Sequence, residues 1–272
     1  MNKVIPFPKH RQHTLNFLSL AGKNAPVLLT AELDMSRVQL SREGFKQQGH
    51  SVSYITLLMK SVSQVVAEFP LANSIFQSGF FNNKIVLFEK VVAKFVLDKV
   101  DDSGQRLVAT ATVDDCDQLL ELQIQQILDG YKRANYATSD LFAKVRKLNQ
   151  LPLVVGRLLY RLMLMKASFR QSVQGSFTIS SLGHQPINQF VPISANTLTF
   201  GAGSVSPKVV VIDGKTQTLP TMTLSMVFDH RVMDGALASE ILTRIKYQIE
   251  NYSIESNVNN QINPNNLKGH TS

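Results

Sequence analysis

A single cysteine, Cys116, occurs in 272 residues, so an intramolecular disulfide and a cysteine-based metal cluster are both excluded. A reducing cytoplasm is the expected compartment. No apolar run reaches the roughly 18 residues that a spanning helix needs, and Met1 to Pro8 lack the apolar centre of a secretory signal, so export is unsupported. There is no glycine-rich phosphate loop, no His-x-x-x-His pair on a helix and no acidic cluster at metal spacing, hence no expected metal site. Gly201-Ala-Gly-Ser204-Val lacks the closing glycine of a serine-hydrolase elbow. The net charge is +8, but the lysines and arginines are scattered and nowhere interleaved with aromatics. That pattern speaks for a surface attracting anionic ligands in general and against nucleic-acid binding.

What is present is ample core material, with 44% of residues hydrophobic. Arg11 to Leu20 reads as a short helix and Val27 to Leu33 as a strand. Asp34 and Ser36 cap a helix running toward Gln48, which Gly49 closes. The clearest helix begins at Ser51 or Ser53, carries Ile55, Leu58, Met59, Val62, Val65, Val66 and Phe69 on one face, and stops at Pro70. Asn83 to Val113 predicts two or three strands around a turn at Asp101 to Gly104, and Asp114 to Tyr131 predicts a helix with acidic residues in its first turn. Residues 134–174 look helical in pieces. Beyond Gly175 the texture is strand, with a hairpin turn at Asp213-Gly214. Helices and strands mix without a βαβ repeat, so the expected class is α+β, a mixed β-sheet flanked by helices, over residues 1–250. Residues 251–272, rich in Asn, Gln, Ser and Pro, are expected to form a disordered tail.

The chemistry concentrates at Asp229-His-Arg-Val-Met-Asp-Gly235. Upstream, Met222, Leu224, Met226 and Phe228 alternate with Thr223, Ser225 and Val227, and continuing that period-two pattern puts His230 on the buried side. Downstream, Leu237, Ile241, Leu242, Ile245 and Ile249 fall at helical spacing. A strand-to-helix corner of this kind holds a side chain rigidly and suits a general base.

That motif, together with Gly175-Ser-Phe-Thr-Ile-Ser180-Ser181-Leu-Gly183-His184, Phe190-Val-Pro-Ile193 and the Asp213-Gly214 turn, resembles the catalytic domain of the dihydrolipoamide acyltransferases of 2-oxoacid dehydrogenase complexes. A looser likeness runs upstream through Val52 to Lys60 and Phe69 to Asn73. The resemblance implies the chloramphenicol acetyltransferase-like fold, CoA or acyl-CoA as substrate, and a homotrimer with active sites between subunits. It implies His230 as general base, Ser180 as oxyanion donor and Asp234 as a residue supporting the geometry of the site. Ser181 stays open as the alternative donor, because alternation turns only one of the two serines inward. Asp234 is expected to hold the Arg231 loop by an ion pair or hydrogen bond rather than to transfer a proton. The residues that would contact CoA are not identified.

Departures bear on the acceptor. The lipoyl arm and subunit-binding domain that usually precede this core are not expected on this chain, so a lipoyl-bearing or carrier-protein partner would supply the acceptor. The strand that in such proteins commonly carries Val-Pro-Val-Ile here reads Leu107-Val-Ala-Thr-Ala-Thr-Val113. Residues 134–174 are atypical, and within them Leu151 to Met165 is strongly apolar. It reads as a core helix with an arginine edge, as a surface lying on a membrane, or as a helix bordering the acceptor side of the pocket. The expected function is therefore a CoA-dependent acyltransferase acting on a thiol, hydroxyl or amine. A catalytically inactive oligomeric scaffold of the same fold is the alternative.

Overall fold

Period-two patterning in the second half of the chain closes into one mixed sheet in the computed structural model, which describes residues 12–79, 82–100, 104, 106–143, 146, 147, 155, 158, 162, 165–183 and 185–253. Across the sheet run β1 (Pro26–Asp34), β9 (Lys215–Asp229), β7 (Leu198–Ala202), β6 (Phe177–Ser181), β4 (Ala93–Val100) and β5 (Arg106–Val113). A further strand, β8 (Ser206–Ile212), pairs with β9 through the Asp213-Gly214 hairpin, where both residues take positive φ, 51° and 72°. The β4–β6 and β6–β7 pairs are parallel and the others antiparallel. β2 (Ser74–Gln77) and β3 (Lys84–Leu87) form a separate antiparallel pair, of which β2 lies outside the strand span read from sequence.

The helices are α1 (Gln12–Ala21), α2 (Ser36–Gln47), α3 (Tyr54–Glu68), α4 (Glu121–Arg133), α5 (Ala167–Gln174) and α6 (Gly235–Glu250). One face of the sheet, carrying Phe95, Phe177, Ile179, Phe200, Leu224, Met226 and Phe228, joins α3, α4 and α6 in a single apolar core. Ser53 caps α3, its hydroxyl accepting from the Thr56 amide at 3.4 Å. α3 is buried almost all round, and even Lys60 is only 5% exposed, its Nζ donating to the carbonyls of Asp117 (2.7 Å) and Leu119 (2.8 Å).

Those two carbonyls lie in a segment that differs from the sequence expectation. The helix predicted from Asp114 begins only at Glu121, after a run of turns. Asp115 sits at φ 50°, outside the helical region, the Cys116 amide donates to Val91 O at 3.0 Å, and Lys60 holds the turns that follow through the carbonyls of Asp117 and Leu119. The cap predicted for α2 also differs: Met35 occupies the position without a side-chain bond, while Asp34 Oδ1 accepts from the Ser36 amide at 2.9 Å. Most of Leu151 to Met165 and residues 254–272 of the expected tail lie outside the described residues. Val155, Leu158, Leu162 and Met165, which are described, are 51%, 59%, 54% and 65% exposed, so in the single chain they do not form a buried core face.

Candidate active site

β9 stops at Asp229 because the backbone turns there: the Val232 amide donates to Asp229 O at 2.9 Å, and the His230 amide donates to Ala25 O at 2.8 Å. Asp229 is 3% exposed. Its carboxylate accepts from Arg231 Nε at 2.9 and 3.1 Å, from the Arg231 amide at 3.1 Å and from the Ala25 amide at 3.3 Å. Arg231 Nη2 donates on to Asn24 Oδ1 at 2.8 Å, and the guanidinium lies 4.5 Å from the centroid of Phe76. Val232 and Met233 are buried. The corner is thus clamped on both sides of His230.

His230 itself is exposed, against the expectation from alternation, since the strand ends one residue before it and the period-two pattern ends with it. Its ring leans on Phe228 at 5.8 Å between centroids. Asp234 does not hold Arg231, whose partner is Asp229. Instead its carboxylate accepts from the Leu237 amide at 2.9 Å and caps α6. The correction has a simple cause: the residue preceding a helix offers its oxygens to the free amides of the first turn.

The opposite face of the sheet from the core borders a cavity of about 610 Å³, closed by α1 and by the segment around Pro192. Lys94 and Val96 of β4, Thr110 of β5, Thr178 and Ser180 of β6 and Thr199 of β7 line it. Ser180 therefore faces the cavity, whereas Ser181 Oγ accepts from the Gly183 amide at 3.2 Å and is committed to the following turn. Gly201, paired with Ser180 in register, lets the Phe190 to Pro192 segment approach; a Cβ there would lie 2.5 Å from Phe190 O. From the atypical region, Tyr136, Phe142 and Val173 line the cavity, and none of the described residues between 146 and 165 does.

His230 is not among the lining residues. Register sets Ser180 opposite Gly201 and Gly201 opposite Ser225, two strand spacings away, with His230 five residues further along the chain. At roughly 4.8 Å per strand and 3.4 Å per residue, the two Cα atoms are about 20 Å apart. Within one chain the two groups cannot meet on one reacting atom.

Sequence reasoning passed over Lys94, a lone cation within Val91-Val-Ala-Lys-Phe-Val-Leu97, although a charge inside an otherwise apolar strand was a usable signal. It is 8% exposed, and burial pulls its pKa down to about 8. Cys116, buried beneath α3, has its thiol pushed up to about 12 and is inert as a nucleophile at neutral pH. Among the described residues no three His, Cys, Asp or Glu side chains converge on a metal position, and no helix is long and apolar enough to cross a membrane.

Comparison with known proteins follows the same lines. The family model of the 2-oxoacid dehydrogenases acyltransferase (catalytic domain) matches residues 1–134 and 144–254, leaving unmatched the stretch that holds Tyr136 and Phe142. The dihydrolipoyllysine-residue acetyltransferase component of the pyruvate dehydrogenase complex of Bacillus subtilis (strain 168) is 24% identical over 234 residues, 81% of this chain and 43% of that protein. The same component of Staphylococcus aureus (strain N315) is 33% identical over 76 residues, 27% of this chain and 18% of that protein. The chain thus spans less than half the length of these curated relatives. A probable dihydrolipoamide acetyltransferase from Listeria monocytogenes 4b F2365 superposes with a TM-score of 0.70 at 21% identity, covering 93% of this chain and 97% of that one. The cubic core of the pyruvate dehydrogenase multienzyme complex superposes with a TM-score of 0.69 at 22% identity, covering 92% of each chain. The fold is the one these catalytic cores share.

Proposed function

Because the chain belongs to the family of 2-oxoacid dehydrogenase acyltransferase catalytic domains, we propose that it moves an acyl group between CoA and an acceptor thiol, hydroxyl or amine. A dihydrolipoyl thiol is the first acceptor to try. His230 is the general base and Ser180 the oxyanion donor. A free thiol has a pKa of about 8.5, so little thiolate exists at neutral pH and an imidazole in reach removes the proton as attack begins. The thiolate adds to the thioester carbonyl, and the oxygen takes up the negative charge. Ser180 Oγ–H donates to that oxygen, a contribution of roughly 10² to 10³ in rate by analogy with other oxyanion holes. The adduct collapses, the carbon–sulfur bond of the original thioester breaks, and the imidazolium gives its proton to that departing sulfur while the bond to the attacking sulfur remains.

One observation carries this reading: Ser180 lines a cavity while His230 stands exposed on a clamped turn about 20 Å away along the sheet. Such a pair works together only when His230 of the partner subunit reaches the cavity. A closed ring of copies, the expected homotrimer, supplies every cavity with one histidine. A retired scaffold would need neither an open cavity nor a base held rigid by Asp229 and Arg231, which disfavours the alternative. In this scheme Asp234 acts on His230 at a distance, by fixing the start of α6.

Complementation tests the arrangement. His230→Ala and Ser180→Ala chains, each assembled alone, should release free CoA at rates at least 10²-fold below the parent. Co-assembled, the two should recover about a quarter of the parent rate, the share of sites receiving both intact groups from different chains. Full activity of the His230→Ala protein alone would sink the mechanism, and inactive mixed oligomers would sink the shared site.

A further inference from the structure

Lys94 places an ammonium on β4, an inner strand of the sheet, 8% exposed and lining the cavity. No hydrogen bond or ion pair engages it among the described residues. Its Nζ lies 5.9 Å from the centroid of the Phe17 ring of α1. The other charged residues lining the cavity, Asp98 and Arg106, are paired with each other. A buried cation without a counter-charge is strongly disfavoured, and burial alone accounts for the pKa of about 8. At pH 7 the group is nonetheless mostly protonated. Among the described residues lining the cavity, beside apolar and hydroxyl side chains and the Asp98–Arg106 pair, Lys94 is thus a positive charge without a partner.

Its position relative to Ser180 indicates what it faces. Lys94 and Thr178 are register partners on the adjacent parallel strands β4 and β6, and Ser180 lies two residues further along the same face. One strand spacing and two residues of rise put the Cα atoms of Lys94 and Ser180 roughly 8 Å apart. A thioester carbonyl held at Ser180 thus directs a short acyl chain within reach of the ammonium. Uncharged acyl groups would leave that charge buried and unpaired, whereas a terminal carboxylate would neutralise it through a charge-assisted hydrogen bond. Thr178, beside Lys94 in register and also lining the cavity, offers a hydroxyl as a second donor for the same carboxylate.

We propose that Lys94 is the specificity-determining residue of the acyl pocket and selects acyl groups ending in a carboxylate, half-thioesters of short dicarboxylic acids. This rests on the acyl-transfer reading above and narrows it. A linear aliphatic chain of the same length would fit the space but not the charge.

The experiment compares succinyl-CoA and glutaryl-CoA with acetyl-CoA and butyryl-CoA on the full chain, with dihydrolipoamide as acceptor and acyl-product formation as readout. The parent should favour the carboxylated donors in kcat/KM by roughly 10²-fold. Lys94→Met should invert that order, raising KM for succinyl-CoA while improving transfer from butyryl-CoA, and Lys94→Arg should keep the preference for the carboxylated donors. A parent that transfers butyryl at least as well as succinyl overturns the assignment of Lys94 but leaves acyl transfer standing, as does a Lys94→Met variant that retains the preference. A chain that transfers no acyl group of either class to dihydrolipoamide, or to a hydroxyl or amine acceptor tried in its place, overturns both readings. An acyl adduct found by mass spectrometry on Lys94 itself also overturns the proposal, because the amine would then be an acceptor and not an anchor.

Discussion

Asp229 and Arg231 embrace across the residue that separates them: Arg231 Nε donates to both carboxylate oxygens, at 2.9 and 3.1 Å, and His230 is left as the exposed side chain between them. The pair is shielded, with Asp229 3% and Arg231 26% exposed. Its removal separates the scaffold of the motif from its chemistry. Asp229→Asn leaves a partly buried guanidinium short of its counter-charge and should cost roughly 2–4 kcal/mol of stability. Acyl transfer should fall as well, because the turn that aims His230 loosens. His230→Ala, in contrast, should lose transfer with a melting temperature close to the parent's. Equal melting temperatures for parent and Asp229→Asn, measured by calorimetry, would contradict the clamp.

Asp234 holds the first turn of α6 through the Leu237 amide. Asp234→Ala should destabilise the fold by about 1 kcal/mol, while Asp234→Asn, an equally good cap, should lose only a few tenths. Denaturant titration of both variants checks this. If Asn costs as much as Ala, the carboxylate has a role beyond capping.

The two serines of β6 differ in commitment. Ser180→Ala should lower kcat by roughly 10²-fold or more with little change in KM. Ser181→Ala removes the acceptor for the Gly183 amide and should act mainly on stability, by about 1 kcal/mol. A reversed pattern in steady-state kinetics would move the oxyanion role to Ser181.

Gly201→Ala introduces a Cβ 2.5 Å from Phe190 O and 2.9 Å from Pro192 Cδ. Backbone cannot yield as a flexible side chain does, so the segment beside Ser180 must shift. Activity should drop by at least tenfold, with a stability loss of roughly 1–3 kcal/mol. An unchanged kcat/KM would mean that this segment does not shape the site.

Lys94 gives the pH dependence. Its folded pKa of about 8 lies below its ordinary 10.5, so between these values the unfolded chain binds more protons and stability rises with pH. The penalty is complete below about pH 8 and gone above about 10.5, and amounts to roughly 3 kcal/mol. Lys94→Met should therefore be more stable than the parent at pH 7, and the difference should shrink as pH rises through that window. A difference that stays constant with pH in urea titrations would exclude a buried charged amine.

Most elements were legible in the sequence because they follow local rules. The α3 helix declares itself through apolar spacing, a Ser53 cap and Pro70, and the β8–β9 hairpin through Asp213-Gly214. The exceptions are places where a distant group overrides local preference. The predicted helix does not start at Asp114, because Asp115 takes a positive φ and the Cys116 amide pairs with the distant Val91 carbonyl, while Lys60 holds the carbonyls of Asp117 and Leu119. The resemblance named Ser180 as the inward serine but strand alternation alone left Ser181 open, since the choice shows only in the cavity lining and in the turn at Gly183.

The sequence by itself determined the mixed sheet with its flanking helices, and the motif around His230, because side-chain periodicity and turn chemistry are written residue by residue. Tertiary structure alone decided that His230 stands free while Asp229 and Arg231 close upon each other. It also decided that Ser180 faces a cavity which His230 of the same chain does not line, and that Lys94 enters that cavity without a partner among the described residues. Register and burial set those relations, and both are properties of strands brought together from far apart in the chain.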